Sequence, residues 1–280
     1  MKRTVKSTVR GRRTVDGAGV NLVRVLGGDT MEEYDPILML DSFDSTDPED
    51  YRAGFPLHPH RGIETISYVV EGAMKHRDSL GNEATVGDGE VQWMCAGSGI
   101  LHEEMIPATG RLLGVQLWLN LPAQDKMCAP TYHSITRDSI PEIALEHGQV
   151  RVLAGSFGDM KGYASHYVPL DYYDIALEPG GLIELDTDPD HAVMVFTLQG
   201  DAVVAGQPLA EKTAARLTEG TSLELQAGDE AARILFMSAP ALKEPIVWGG
   251  PIVMNTEEEL EQAYYDLRTE SFLKSKIVVQ

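Results

Sequence analysis

What most constrains the fold of this 280-residue chain is a recurrence of short β-forming runs closed by glycine turns, about ten residues apart. Thr65 to Val70 alternates and stops at Glu71-Gly72. Val91 to Met94 follows Gly87-Asp88-Gly89, and Leu112 to Leu119 ends at Asn120-Leu121-Pro122. Runs this short cannot bury a face alone, so the pattern predicts an all-β sandwich or barrel. After residue 145 the pattern starts again. Val150 to Gly155 opens it, Ala192 to Gly200 echoes Ile66 to Gly72, and Ala232 to Met237 echoes Leu112 to Leu119. Similarity that keeps its order while losing its residues is the mark of a diverged duplication. The aperiodic stretch Gln124 to His147, with Pro130 and Pro141, is the expected linker. Two tandem domains follow, residues 1–135 and 136–280.

One helix is predicted, near the end. Thr256-Glu257-Glu258-Glu259 has the form of a capping box, and its acids suit the positive end of the helix dipole. Leu260, Ala263, Tyr264 and Leu267 then fall on one face, as a terminal helix packed on a barrel requires.

The charge balance, 23 Lys and Arg against 43 Asp and Glu, gives a net charge of −20. Nucleic acid and anionic lipid would repel such a chain, so neither is an expected partner. The exception is Met1 to Arg13, with six basic residues and no acid. Thr4, Val5, Thr8, Val9, Thr14 and Val15 interleave them, so a solvated rim strand is expected rather than a binding arm. Cys95 and Cys128 make no disulfide framework, and no signal peptide or membrane-length apolar run is visible. The expectation is a cytoplasmic protein, and a monomer.

Chemistry concentrates in two short segments. His58-Pro59-His60 puts two imidazoles at i and i+2, on one side of an extended chain, and Pro59 biases His58 toward that geometry. His102-Glu103-Glu104 offers an imidazole and a carboxylate at the same spacing. With eight histidines, a chance H-x-H turns up in about a fifth of such chains, so the first pair alone is weak. The second pair, beside the turn Ala96-Gly97-Ser98-Gly99 and separated from the first by predicted strands, points to a metal site. Three imidazoles and a carboxylate suit iron, nickel, copper, manganese or zinc.

These residues lie in segments that resemble the signature of the pirin family, a branch of the cupin superfamily. The segments are Phe55 to Thr65, Lys75-His76-Arg77-Asp78-Ser79-Leu80-Gly81-Asn82, Val91 to Met105, and Gly249 to Thr256. The resemblance covers nearly the whole chain. It implies two jelly-roll barrels, with iron, as Fe(II), held in the first by His58, His60, His102 and Glu104. It also implies a second barrel without metal. After residue 150 only His166 and His191 occur, far apart.

Pirins are associated with oxygen-dependent cleavage of flavonols such as quercetin, so the resemblance implies a small aromatic substrate and dioxygen. For that chemistry Glu104 is expected to serve as both ligand and catalytic base, loosening its hold on the metal as it accepts the proton of the 3-hydroxyl. Some pirins are described as partners of transcription factors or metabolic enzymes, which implies the alternative of a metal-dependent regulatory protein. Of the nearby residues, Glu103 is expected at the rim, on the opposite face from His102 and Glu104. Glu64 is expected to make a structural hydrogen bond, Trp93 and Met94 to be core, and Cys95 to be a buried inert thiol. His76, Arg77 and Asp78 precede the Leu80-Gly81-Asn82 turn and are expected at a hairpin tip, with a place at the edge of the metal pocket as the minority reading.

Overall fold

The structure, a computed structural model, describes residues 1–275. Its contacts divide the chain into two units. One comprises Arg13–Glu32, Ile37–Arg137 and the chain from Leu242 onward. The other comprises Met1–Arg12, Glu33–Pro36 and Asp138–Ala241.

Each unit holds a seven-stranded and a four-stranded sheet, antiparallel throughout. In the first unit the large sheet runs Thr131–Ile135, Glu90–Cys95, Ile63–Glu71, Leu112–Asn120, Ile37–Ser45, Val20–Leu26, Arg12–Asp16, and the small sheet Phe55–His60, Ile100–Met105, Met74–Asp78, Glu83–Val86. In the other unit the large sheet runs Val5–Arg10, Thr213–Leu217, His191–Gln199, Ala232–Pro240, Asp171–Leu177, Gly148–Ala154, Glu142–Leu145, and the small sheet Leu182–Asp186, Ser222–Ala227, Ala202–Val204, Gln207–Leu209. The two orders match strand for strand, and the segments that echo one another in sequence occupy the same places in their sheets. These are the two cupin barrels.

The boundaries differ from a single cut at residue 135, because each terminal segment is built into the unit more distant in sequence. Val5–Arg10 is the edge strand of the second barrel, with Thr8 opposite Ala215, and its Lys6 and Arg10 point outward as a rim strand requires. Arg3 pins the entry to this strand. Its buried guanidinium donates to Thr187 Oγ1 at 2.7 Å and to the carbonyls of Thr218 and Asp188 at 2.6 and 2.5 Å. The C-terminal segment completes the first barrel instead. Arg61, buried directly after His60, donates to Ser98 O at 2.8 Å, Asp266 Oδ2 at 2.8 Å and Phe272 O at 2.9 Å. Gly62 makes room for this approach: at φ +81°, any Cβ there would lie 2.0 Å from Val253 O. The buried Lys126 ammonium closes the junction, donating to Gly62 O and Val253 O at 2.8 and 3.0 Å.

The terminal helix is Glu257–Arg268, capped by the reciprocal bonds of Thr256 and Glu259. Its buried face carries Leu260 and Ala263, packed with Ile252, Met254 and Phe272. No helix among the described residues is long and apolar enough to cross a membrane.

The interior of the second barrel is filled by Val150, Val152, Ile175, Val193, Val195, Ile234 and Phe236 with their apolar neighbours. The first barrel buries polar groups as well. Trp93 is core, as expected, and its indole N–H donates to Glu64 Oε1 at 3.0 Å, while Glu64 Oε2 has no hydrogen-bond partner among the described residues. Burial pushes the Glu64 carboxyl up to about 7, against the Trp93 hydrogen bond. The Cys95 thiol lies 3.6 Å from that of Cys128, and this contact together with burial pushes it well above the ordinary range, so it is inert at neutral pH.

Two stability outcomes follow. Removing Arg61 takes the buried guanidinium from Ser98 O and Phe272 O and leaves Asp266 with Lys274, at 2.8 Å, as its remaining ion-pair partner, so Arg61→Ala costs on the order of 3 kcal/mol in urea unfolding, against about 1 kcal/mol for Thr256→Ala at the helix cap. For Glu64, a folded pKa above the unfolded 4.5 means that the native state binds more protons between about pH 4.5 and 7, and stability falls as pH rises through that window. Glu64→Gln is therefore more stable than wild type at pH 8, by on the order of 3 kcal/mol, and the advantage vanishes near pH 4.5. Denaturant titrations at the two pH values check this; an advantage that is the same at both contradicts it.

Candidate metal centre

Strand register assembles the site. Phe55–His60 pairs antiparallel with Ile100–Met105, setting His58 directly opposite His102 and His60 opposite Ile100. On its other side Ile100–Met105 pairs with Met74–Asp78, setting His102 opposite Asp78 and Glu104 opposite His76. Directly opposed residues share a face, and so do residues two apart on one strand. His58, His60, His102, Glu104, His76 and Asp78 therefore all project from one face of the small sheet. On the other face, Glu103 meets Arg77 at 2.9 Å, at the rim as expected.

The three histidines converge, with their ligand atoms within 4.8 Å of one another. His60 and His102 are buried, and His58 is half-buried. Their tautomers can be read from their partners. His58 Nδ1 lies 2.8 Å from Pro56 O, and His60 Nδ1 lies 3.0 Å from Pro251 O. A carbonyl oxygen only accepts, so both Nδ1 atoms carry the proton and both Nε2 atoms keep a lone pair. Those two Nε2 atoms stand 3.0 Å apart, and the buried Nε2 of His102 has no hydrogen-bond partner among the described residues. Three lone pairs aimed at one another are costly alone and well matched to a divalent transition ion, so the residues present fit a metal. Electrostatics agree. Burial, then the neighbouring His58, lowers His60 to about 3, and burial with the surrounding imidazoles lowers His102 well below its ordinary value, keeping both rings neutral as ligation requires.

Glu104 shares the face but stands outside the group of converging nitrogens. Its carboxylate reaches toward the large sheet, where Ser67, Gln92 and Gln116 lie side by side in register. Gln92 Nε2 donates to Oε1, and Gln116 Nε2 donates to Oε2 at 2.8 Å. Both amides also donate to Ser67 Oγ, at 3.2 and 3.1 Å. Glu104 is thus a buried carboxylate held by two neutral amides, with no cation paired to it among the described residues.

The hairpin-tip placement of His76 and Asp78 is corrected here. Only Arg77 is exposed, while the side chains of His76 and Asp78 are fully buried beside His102. The turn begins one residue later, at Ser79. The signal was present in the alternation Met74-Lys75-His76-Arg77-Asp78, whose charged Lys75 and Arg77 mark the outer face.

His58 and His60 form part of the wall of a cleft of about 580 Å³, a volume ordinary for small-molecule sites. Phe55, Met39, Trp118 and Trp248 supply apolar wall; the two indoles lie 5.6 Å apart, and Trp118 meets the His60 ring edge-on at 5.0 Å. Opposing chemistry comes from Arg24, which donates to Asp41 at 2.9 and 2.7 Å and to Asp16 at 2.6 Å. Neither tryptophan nor the Asp16–Arg24–Asp41 group was singled out from the sequence, because nothing in their spacing ties them to the histidines.

Similarity to known proteins follows the same outline. A family model described as Pirin matches residues 19–119, and one described as Pirin C-terminal cupin domain matches residues 172–273. A pirin-like protein of Caulobacter vibrioides is 40% identical over 274 residues, covering 96% of this chain and 99% of that protein. Pirin of Homo sapiens is 34% identical over 270 residues, covering 94% and 92%. Among solved structures, quercetin 2,3-dioxygenase from Acinetobacter baumannii superposes with a TM-score of 0.90 at 33% identity, covering 97% of this chain and 99% of that one. With both family models matched in order on two barrels of matching topology, the chain belongs to the pirin family of bicupins.

Proposed function

We propose that this chain is a metal-dependent dioxygenase that cleaves flavonols such as quercetin, with His58, His60, His102 and Glu104 as its ligand set and Fe(II) as its metal. The observation that carries the proposal is the convergence of three imidazole lone pairs at the wall of an aromatic-lined cleft. The 33% identity to a structure named quercetin 2,3-dioxygenase supports the choice of substrate class. Nickel, copper, manganese and zinc are the other ions this donor set accepts.

A redox-active ion in this position supplies a Lewis-acid seat for a ring oxygen and a path for electrons to dioxygen. The chain's own residues do the rest. Trp118, Trp248 and Phe55 offer flat apolar surfaces to a planar ring system. The Asp16–Arg24–Asp41 group carries one excess negative charge, so this wall favours a neutral polyhydroxylated ring over a carboxylate. Glu104 is the base in this proposal. It takes the proton of the substrate 3-hydroxyl, giving up hydrogen bonds to Gln92 and Gln116 as it loses charge. Gln116 both lines the cleft and holds Glu104, which links the occupied cleft to the carboxylate.

The test is aerobic and anaerobic incubation of iron-loaded protein with quercetin, with metal analysis of each variant. Wild type turns over only with oxygen, and His58→Ala loses both iron and turnover. Glu104→Gln loses turnover by at least about a hundredfold while losing far less of its iron. Equal loss of both in Glu104→Gln defeats the dual role of Glu104. Iron retained by wild type without any turnover defeats the enzyme reading in favour of a metal-dependent regulatory protein.

A further inference from the structure

His102 differs from the other two converging imidazoles in what stands behind it. His58 and His60 each rest their Nδ1 on a main-chain carbonyl. His102 Nδ1 instead faces the Nδ1 of another imidazole, that of His76, at 3.5 Å. The far nitrogen of His76, Nε2, lies 3.0 Å from Asp78 Oδ2, and neither side chain is exposed. Asp78 is itself fixed. Its Oδ1 accepts from the N–H groups of Leu80 and Asn82 at 2.9 and 3.0 Å, and its Oδ2 accepts from the Asn82 side-chain amide at 2.9 Å. The His76 ring is stacked on Tyr132, with centroids 4.2 Å apart and planes 15° from parallel.

A chain of hydrogen bonds through two neutral imidazoles has one direction once its end is set. Asp78 is a carboxylate and can only accept, so His76 carries its proton on Nε2 and presents a lone pair at Nδ1. His102 must then carry its proton on Nδ1, which leaves the lone pair on Nε2, the buried atom that finds no hydrogen-bond partner among the described residues, in a ring 4.4 and 5.0 Å from those of His58 and His60. We infer that His76 and Asp78 are positioning residues that lock His102 in its Nδ1–H tautomer, holding its Nε2 ready as an electron-pair donor to the metal. This deepens the metal-centre reading and rests on it. Tyr132 limits rotation of the His76 ring, so the chain of bonds is held by packing as well as by charge.

Asp78→Asn is the sharpest probe, because the bonds to Leu80 and Asn82 keep an oxygen at the Oδ1 position and turn the new NH₂ toward His76. The chain then reverses, and His102 is protonated on Nε2, blocking the metal. His76→Phe keeps a ring against Tyr132 and removes the relay. Nitrogen-15 spectra of the metal-free full-length protein, recorded where the imidazoles are neutral, report the tautomer directly. The expected results are Nδ1–H at His102 in wild type and Nε2–H in Asp78→Asn. Competition with a chelator for nickel or iron(II) then gives dissociation constants raised about ten- to a hundredfold in both variants, with unfolding midpoints of the metal-free forms confirming that they are folded. Wild-type His102 protonated on Nε2 overturns the inference without recourse to any variant, and so does wild-type metal affinity in a folded Asp78→Asn or His76→Phe protein. A wild type that takes up neither metal overturns the metal-centre reading, and the tautomer spectrum still decides the positioning role.

Discussion

The pairing register between Phe55–His60 and Ile100–Met105 is the constraint on which the site depends. Side chains alternate along a strand, so a slip of one residue would turn His102 and Glu104 to the outer face and bring Leu101 and Glu103 inward. What opposes such a slip lies at the turns. Gly62 is held in a left-handed conformation against the tail segment, and Gly99, at φ +138°, lies where a Cβ would meet Phe272 O at 2.7 Å. Arg61 ties both turns to the tail, through Ser98 O on one side and Phe272 O on the other. The metal-facing geometry is therefore fixed by backbone contacts outside the site, and the imidazoles need only point.

The same architecture without the chemistry is present in the second barrel. Its small sheet pairs Ile183 with Leu225 and Leu185 with Leu223, and all four side chains are buried in the apolar interior. In the first barrel the corresponding strands carry His58, His60, His102 and Glu104. The equivalent face thus offers hydrocarbon in one barrel and nitrogen and oxygen donors in the other. The two barrels keep one strand order while differing in what lines this face, as expected when fold and function are separable.

The all-β class, the doubling and the terminal helix were legible because they rest on local periodicity and on turn and cap residues. The two ligand segments were legible because H-x-H and H-x-E keep like side chains on one face, a property of the strand itself. What lay hidden needs pairing partners that local patterns do not specify. Val5–Arg10 reads as a rim strand, but only its bonds to Thr213–Leu217 say whose rim. Pro251 has no side-chain polarity to advertise that its carbonyl orients His60. His76 and Asp78 are marked as inward-facing only by the alternation of Met74 to Asp78, which the adjacent Leu80-Gly81-Asn82 turn masks.

The tail's place in the first barrel has a consequence for how the protein is made. Every donor nitrogen of the histidine cluster belongs to the first hundred or so of these residues to be translated, yet the Pro251 carbonyl that orients His60 follows His102 by roughly 150 residues, about 7 to 30 s at ordinary elongation rates. Throughout that interval the ligands exist while the frame that aims them does not. The tail that completes the first barrel is translated only after nearly the whole second barrel. A chain cut before Pro251 would carry all three imidazoles and lack the carbonyl on which His60 rests.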